Sequence, residues 1–113
     1  MPFSLIEGRK RRWLTVCQRG NCRSVHLAAI LKDDLNQDAI ACGVTAAADE
    51  TMKMLGEWAD VIVLCDNDLD QFVPDHWRPK MVSFHVGEDR FFRGWNRELC
   101  QLFYDYLDKY KYK

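Results

Sequence analysis

The stretch RWLTVCQRGNCRSVHLAAILKDDL, residues 12–35, decides the fold of this chain. Its first part, Arg12 to Cys17, is a short run of apolar and β-branched residues, which predicts a strand. Its last part, Ser24 to Leu35, repeats apolar residues at the spacing of one helix face, namely Val25, Ala28, Leu31 and Leu35. Because only a short polar loop separates the two parts, the stretch predicts a strand followed closely by a helix.

The remaining sequence repeats this alternation. Further strands are predicted over Ala39 to Cys42, Asp60 to Cys65 and Met81 to Val86, and further helices are predicted from a cap at Asp49 and over Asn96 to Tyr110. The run DVIVLC, residues 60–65, suits a strand that is buried on both faces. The sequence therefore predicts an α/β fold, with a four-stranded parallel sheet and helices on both faces.

Composition limits the possible functions. The chain has 113 residues, 48% of them hydrophobic, and a formal net charge of −1. We expect residues 1–113 to form a single domain around one core, with residues 1–11 flexible. The small net charge argues against nucleic acid or a membrane surface as a partner, since both attract basic proteins. No apolar run is long enough to cross a bilayer and no secretory signal is apparent, so we expect a cytoplasmic protein.

The cysteines and histidines give no sign of a disulfide framework or a metal site. The five cysteines are an odd number, and their spacing fits neither secreted disulfides nor zinc knuckles. Cys42, Cys65 and Cys100 fall within apolar or helical patterns, where cysteine usually serves as a small buried apolar residue. The three histidines show no ligand spacing. We therefore expect reduced thiols, no metal and no other cofactor.

The loop between the first strand and the first helix carries the chemistry. Residues 17–24, CQRGNCRS, fit the pattern C-x5-R-S, in which backbone N–H groups can converge on an anion above the cysteine. Positive charge and these N–H groups favour the thiolate of Cys17, the candidate nucleophile. The planar fork of Arg23 can grip two phosphate oxygens, and the Ser24 hydroxyl can donate to the sulfur. The expected phosphate-binding residues between them are Gln18, Arg19, Gly20, Asn21 and Cys22.

With this motif near its amino terminus, the chain resembles the low-molecular-weight protein tyrosine phosphatases. The likeness covers most of the chain and rests on VCQRGNCRS at residues 16–24, WADVIV at 58–63 and EDRFFRG at 88–94. The last segment is similar to the acid loop of that family, so the resemblance implies that Asp89 is the general acid and that Phe91 and Phe92 flank the leaving group. It also implies a low-molecular-weight phosphatase-like fold and a cysteine-dependent phosphomonoester hydrolase that acts through a phosphocysteine intermediate. The implied substrate is a phosphotyrosine protein or a small aryl phosphate.

Two alternatives stay open. Arg19 and Gly20 stand where that family usually has glycine and asparagine, and this difference is compatible with a phosphate-binding module without turnover. Arsenate reductases share the fold and use the same nucleophile together with a relay of cysteines, which Cys22 would begin. The sequence favours the phosphatase and leaves the physiological substrate open.

Overall fold

Four parallel strands form the centre of the molecule. The computed structural model describes residues 11–17, 23–44, 48–65, 69, 71, 73–84 and 97–110. Its strands are β1 (Arg12–Cys17), β2 (Asp38–Gly43), β3 (Val61–Leu64) and β4 (Met81–Ser83), in the order β2-β1-β3-β4. Every pair of neighbouring strands is parallel, which confirms the predicted α/β architecture.

Among the described residues, three α-helices accompany the sheet. They are α1 (Arg23–Ala29), α2 (Asp49–Trp58) and α3 (Arg97–Tyr110). Asp49 was predicted as the cap of α2, but the cap is Ala48, whose side chain makes no capping hydrogen bond. Asp49 is instead the first residue of the helix, where a carboxylate still interacts favourably with the helix dipole. No helix in the described part of the chain is both long and apolar enough to cross a membrane.

The helix after β1 changes its geometry before it ends. It was predicted to run from Ser24 to Leu35, and it continues beyond α1 as a π-helical turn over Ile30–Asp34. The Leu35 N–H donates to the Ile30 carbonyl, and Asn36 has a left-handed φ of 52° that starts the turn toward β2. Asp34 accepts a hydrogen bond from the Tyr104 hydroxyl of α3. Burial, and then this bond, raise the pKa of Tyr104 to about 12, so the phenol stays protonated at neutral pH.

The sheet separates two apolar clusters, one on each face. On the first face, α1 and α3 cover the strands through Leu27, Leu99, Phe103 and Leu107, which pack with Trp13 and Val63. On the second face, Met52 of α2 packs with Leu14, Val16, Ile62 and Leu64. Helices therefore cover both faces, as the repeated order of strands and helices and the apolar run at residues 60–65 predicted.

A 3-10 helix over Asp75–Lys80, which the sequence did not predict, completes the second face. Its Trp77 is fully buried against α2, and Gly56 leaves the space for the indole ring. Lys80 donates hydrogen bonds of 2.8 and 2.9 Å from Nζ to the carbonyls of Gly56 and Ala59 at the end of α2. This short helix thus holds α2 against the sheet.

Polar contacts hold the amino ends of the strands together. The Arg12 guanidinium forms an ion pair with Asp60, just before β3, with Nη2 and Oδ1 3.1 Å apart, and the Arg12 backbone N–H donates to the same carboxylate. These bonds hold the pKa of Asp60 below its usual range. Gln37, just before β2, accepts hydrogen bonds from the Arg11 N–H and the Trp13 indole. These contacts lie at the end of the sheet opposite the C-x5-R-S motif.

Candidate active site

The motif begins at the carboxyl end of the inner strand β1. Cys17 is the last residue of β1 and is in register with Gly43, the last residue of β2. The Val44 N–H donates to the Cys17 carbonyl, and the Cys65 N–H donates to the Val16 carbonyl, at 3.1 and 2.8 Å. The end of β1 is therefore fixed from both neighbouring strands. In open α/β sheets, ligands bind beside the carboxyl ends of the strands.

The side chains of Cys17 and Ser24 meet in the core. Cys17 is 2% exposed, Ser24 is fully buried, and Cys17 Sγ lies 3.1 Å from Ser24 Oγ. Either atom can be the donor, so the hydroxyl can donate to a thiolate. Hydrogen bonding to the charged form of a group favours that form. Two members of the predicted site are thus brought into direct contact, and Ser24 is the second residue of α1.

Thr15 connects the strand to the same serine. Its hydroxyl is fully buried and donates a 2.7 Å hydrogen bond to the Ser24 carbonyl. Thr15 and Cys17 are two residues apart on one strand, so their side chains point to the same face of the sheet. Sequence reasoning missed Thr15, because a threonine in an apolar strand indicates only β-propensity. Its position two residues before Cys17 was the one sequence feature that could have indicated a role in the site.

Arg23, the third described member of the predicted site, is the first residue of α1 and is only 2% exposed. Arginine is seldom buried to this extent without compensating interactions, because removing a charge from water is costly. Its position at the start of α1 places the cation at the end of the loop that Cys17 begins. The structure thus keeps a buried positive group and a thiol at the two ends of one loop.

Cys17 differs in its surroundings from the other cysteines. The four cysteines that the structure describes are buried thiols rather than disulfides. Burial, and secondly the charge of a Cys17 thiolate, raise the pKa of the Cys42 thiol. Burial, and secondly Asp34, raise the pKa of the Cys100 thiol. Cys42 and Cys100 are therefore held in the poorly nucleophilic thiol form, in line with the expected role of small buried residues.

The remaining predicted site residues lie outside the described part of the chain. They are Gln18, Arg19, Gly20, Asn21 and Cys22 of the loop, and Asp89, Phe91 and Phe92 beyond β4. Within the described residues, no group of three or more His, Cys, Asp or Glu side chains is placed to hold a metal ion. The described site therefore consists of Cys17, Arg23, Ser24 and the supporting Thr15.

Solved structures of other proteins share the fold of this chain. No family model and no curated protein matches the chain. Among solved structures, the YwlE arginine phosphatase from Geobacillus stearothermophilus is 16% identical, with 89% of this chain and 88% of that chain covered and a TM-score of 0.61. The tyrosine phosphatase Wzb from Escherichia coli K30, in complex with phosphate, is 16% identical, with 91% and 94% covered and a TM-score of 0.58.

A third match extends the same result. The tyrosine phosphatase amsI from Erwinia amylovora is 16% identical, with 94% of this chain and 92% of that chain covered and a TM-score of 0.55. The matches span nearly the whole of each chain, so they concern the complete sheet and its helices rather than one strand and helix. This chain therefore has the fold of the low-molecular-weight phosphatases, which the resemblance in its sequence predicted.

Proposed function

We propose that this protein is a cysteine-dependent phosphomonoester hydrolase of the protein tyrosine phosphatase type, which acts through a phosphocysteine intermediate. The observation that carries the proposal is the contact between Cys17 Sγ and Ser24 Oγ, 3.1 Å apart, inside a C-x5-R-S motif. The motif links the carboxyl end of an inner parallel strand to a helix in a fold shared with phosphatases. That combination supports nucleophilic chemistry on a phosphate more strongly than the motif alone.

The proposed first step transfers the phosphoryl group to sulfur. The Cys17 thiolate attacks phosphorus, so that an S–P bond forms while the bond to the leaving oxygen breaks. Arg23 and the backbone of residues 18–22 bind the phosphate oxygens, and Asp89 gives its proton to the leaving oxygen. Phe91 and Phe92 would flank an aryl leaving group. Asp89 follows β4 in the chain. Because β4 and β1 run in the same direction, their carboxyl ends lie on the same side of the sheet, which supports this assignment.

The second step returns the enzyme to its starting state. Water attacks the phosphocysteine, and the Asp89 carboxylate takes a proton from that water. The S–P bond breaks, inorganic phosphate leaves and sulfur regains its electron pair as a thiolate. The Ser24 hydroxyl, as a donor to sulfur, stabilises this leaving thiolate. No metal or other cofactor enters either step.

The phosphorylated substrate is proposed to be a phosphotyrosine protein or a small aryl phosphate. Two of the similar structures are tyrosine phosphatases, and one of these was solved with phosphate. Because another is an arginine phosphatase, phosphoarginine belongs in the same assay. We expect the protein to act in the cytoplasm, where thiols stay reduced.

A comparison of matched cysteine variants tests the proposal. Wild-type protein should hydrolyse p-nitrophenyl phosphate, whereas Cys17→Ser should lose measurable turnover. Cys42→Ser, which changes a buried thiol on the other face of the sheet, should keep it. Acid quenching of the wild-type reaction should trap phosphate on the peptide that contains Cys17.

Other outcomes would identify the alternatives. Binding of inorganic phosphate in calorimetry without any hydrolysis would indicate a binding module. Reduction of arsenate in the presence of thioredoxin, again without hydrolysis, would indicate an arsenate reductase. Turnover that survives in Cys17→Ser would overturn the proposal, because the nucleophile would then lie elsewhere.

A further inference from the structure

We propose that Thr15 is a positioning residue for the thiolate of Cys17, and that it acts by holding Ser24. This inference rests on the proposed role of Cys17 as a nucleophile. The juxtaposition that points to it is a chain of two contacts: the Thr15 hydroxyl on the Ser24 carbonyl at 2.7 Å, and Ser24 Oγ on Cys17 Sγ at 3.1 Å. Two side chains of one strand thus hold a single residue of α1.

The hydroxyl of Thr15 has one proton, and its geometry shows where that proton goes. The Ser24 carbonyl lies at 2.7 Å and the Ile40 carbonyl of β2 at 3.5 Å, so the shorter contact takes the proton. Thr15 is fully buried, with Trp13 on the same face of β1 and Val63 of β3 opposite it, both members of the first apolar cluster. A hydroxyl in such a place costs free energy unless it is bonded, so its one strong bond fixes the distance between β1 and the first turn of α1.

That distance matters because it sets the Sγ to Oγ contact. α1 has seven residues in α-helical geometry, and Ser24 lies in its first turn, where helices tend to fray. A second attachment to the rigid inner strand limits this motion. With the Ser24 backbone held, its hydroxyl stays within reach of sulfur and favours the thiolate over the thiol.

The test measures how the alkylation of Cys17 by iodoacetamide depends on pH, which requires no turnover. Arg19 lies between Cys17 and Cys22 in the sequence, so trypsin separates the two thiols before mass spectrometry. The variants are Thr15→Val, Thr15→Ala, Thr15→Ser, Ser24→Ala and the double variant Thr15→Val with Ser24→Ala. Thr51→Val, at an exposed position of α2, is the matched control. Urea denaturation verifies that each variant is folded.

We expect Thr15→Val and Thr15→Ala to raise the midpoint of alkylation by roughly one pH unit, about a tenfold loss of thiolate below the midpoint. Thr15→Ser retains the hydroxyl and should match the wild type, as should Thr51→Val. Ser24→Ala should show the same rise, and the double variant should show no further rise, because Thr15 acts through Ser24. A general destabilisation of the fold would lower the free energy of unfolding without producing this pattern of alkylation midpoints.

Three results would overturn the inference: wild-type midpoints in both Thr15→Val and Thr15→Ala, an unchanged midpoint in Ser24→Ala, or an added rise in the double variant. Failure of the proposed function has a different signature, namely no hydrolysis by the wild type and no protection of Cys17 by phosphate. The comparison between variants retains its meaning in that case, because it concerns only the thiol.

Discussion

At the scale of single residues, the proposed mechanism needs a proton donor for the leaving oxygen in addition to the Cys17 thiolate. An aryl phosphate releases its phenoxide slowly unless the oxygen is protonated as the bond breaks. We therefore predict that Asp89→Asn lowers kcat for phenyl phosphate by a factor of about 10²–10⁴, the usual value of general acid catalysis. The loss for p-nitrophenyl phosphate should be smaller, since its leaving group is already a stable anion.

A matched control for this prediction is available among the aspartates. Asp75 begins the 3-10 helix, is largely exposed and forms an ion pair with Arg78, so Asp75→Asn should leave the dependence on the leaving group unchanged. Asp66, which follows β3 in the sequence and lies outside the described residues, is a competing candidate for the acid. Equal losses for both substrates in Asp89→Asn, or a selective loss in Asp66→Asn, would show that the acid is misassigned.

Residues differed in how well the sequence predicted them. Cys17, Arg23 and Ser24 were singled out by the spacing of a known chemical pattern, and the structure places Cys17 Sγ in contact with Ser24 Oγ. The hydrogen bond of Thr15 to a backbone carbonyl depends on the distance between β1 and α1, which no local pattern encodes. The contact of Arg12 with Asp60 could not be predicted either, because it joins residues far apart in the sequence.

At the scale of elements, the contact between α2 and the 3-10 helix gives a prediction about stability. A Cβ atom at Gly56 would clash with Trp77 Nε1 and would lie 2.5 Å from Trp77 Cδ1, and the indole is fully buried. We predict that Gly56→Ala destabilises the protein by about 1–3 kcal/mol, the usual cost of overpacking. The measured loss is the net of this clash and of the roughly 1 kcal/mol that alanine gains in helix propensity.

Urea denaturation of paired variants measures this effect. Glu57→Ala, at an exposed position of the same helix, should change the free energy of unfolding by less than about 0.5 kcal/mol. If Gly56→Ala is as stable as the wild type, the close approach of Trp77 to α2 is wrong.

Elements with a strong periodic pattern were predicted best. β1 has the predicted bounds, Arg12–Cys17, because its apolar run stops where the polar loop begins. The 3-10 helix Asp75–Lys80 was missed, since a short helix that contains Pro79 shows no helical repeat. The π-helical turn within the first helical segment was also missed, because a change in hydrogen bonding from one turn to the next leaves the apolar spacing almost unchanged.

At the scale of the whole molecule, the ion pair of Arg12 with Asp60 links β1 to the chain entering β3. Hydrogen bonds from Arg12 lower the pKa of Asp60, so the folded state favours the carboxylate. The stabilisation is therefore present above the unfolded pKa of about 3.9 and is lost as the pH falls through the lower, folded value. We predict that Asp60→Asn is less stable than wild type at pH 7 and that this difference disappears at low pH.

Thermal unfolding across a pH series measures the difference. Because both side chains are half exposed, the effect should be small and should shrink in high salt. Arg12→Gln should remove the same pH dependence, and the double variant should add little to either single change. A difference between Asp60→Asn and wild type that stays constant down to pH 2 would contradict this account.

The strand order β2-β1-β3-β4 divides the protein by its tolerance to mutation. β1, which ends in Cys17, is paired on both sides, whereas β4, which precedes Asp89 in the chain, pairs with β3 alone among the described strands. Residues of β1 take part in two ladders and alternate between the two apolar clusters, so random changes at residues 12–17 should leave far fewer folded variants than changes at 81–83 in a library sorted for soluble protein. Under selection for folding, changes would then accumulate mainly in β4, while the strand that carries Cys17 stays nearly fixed.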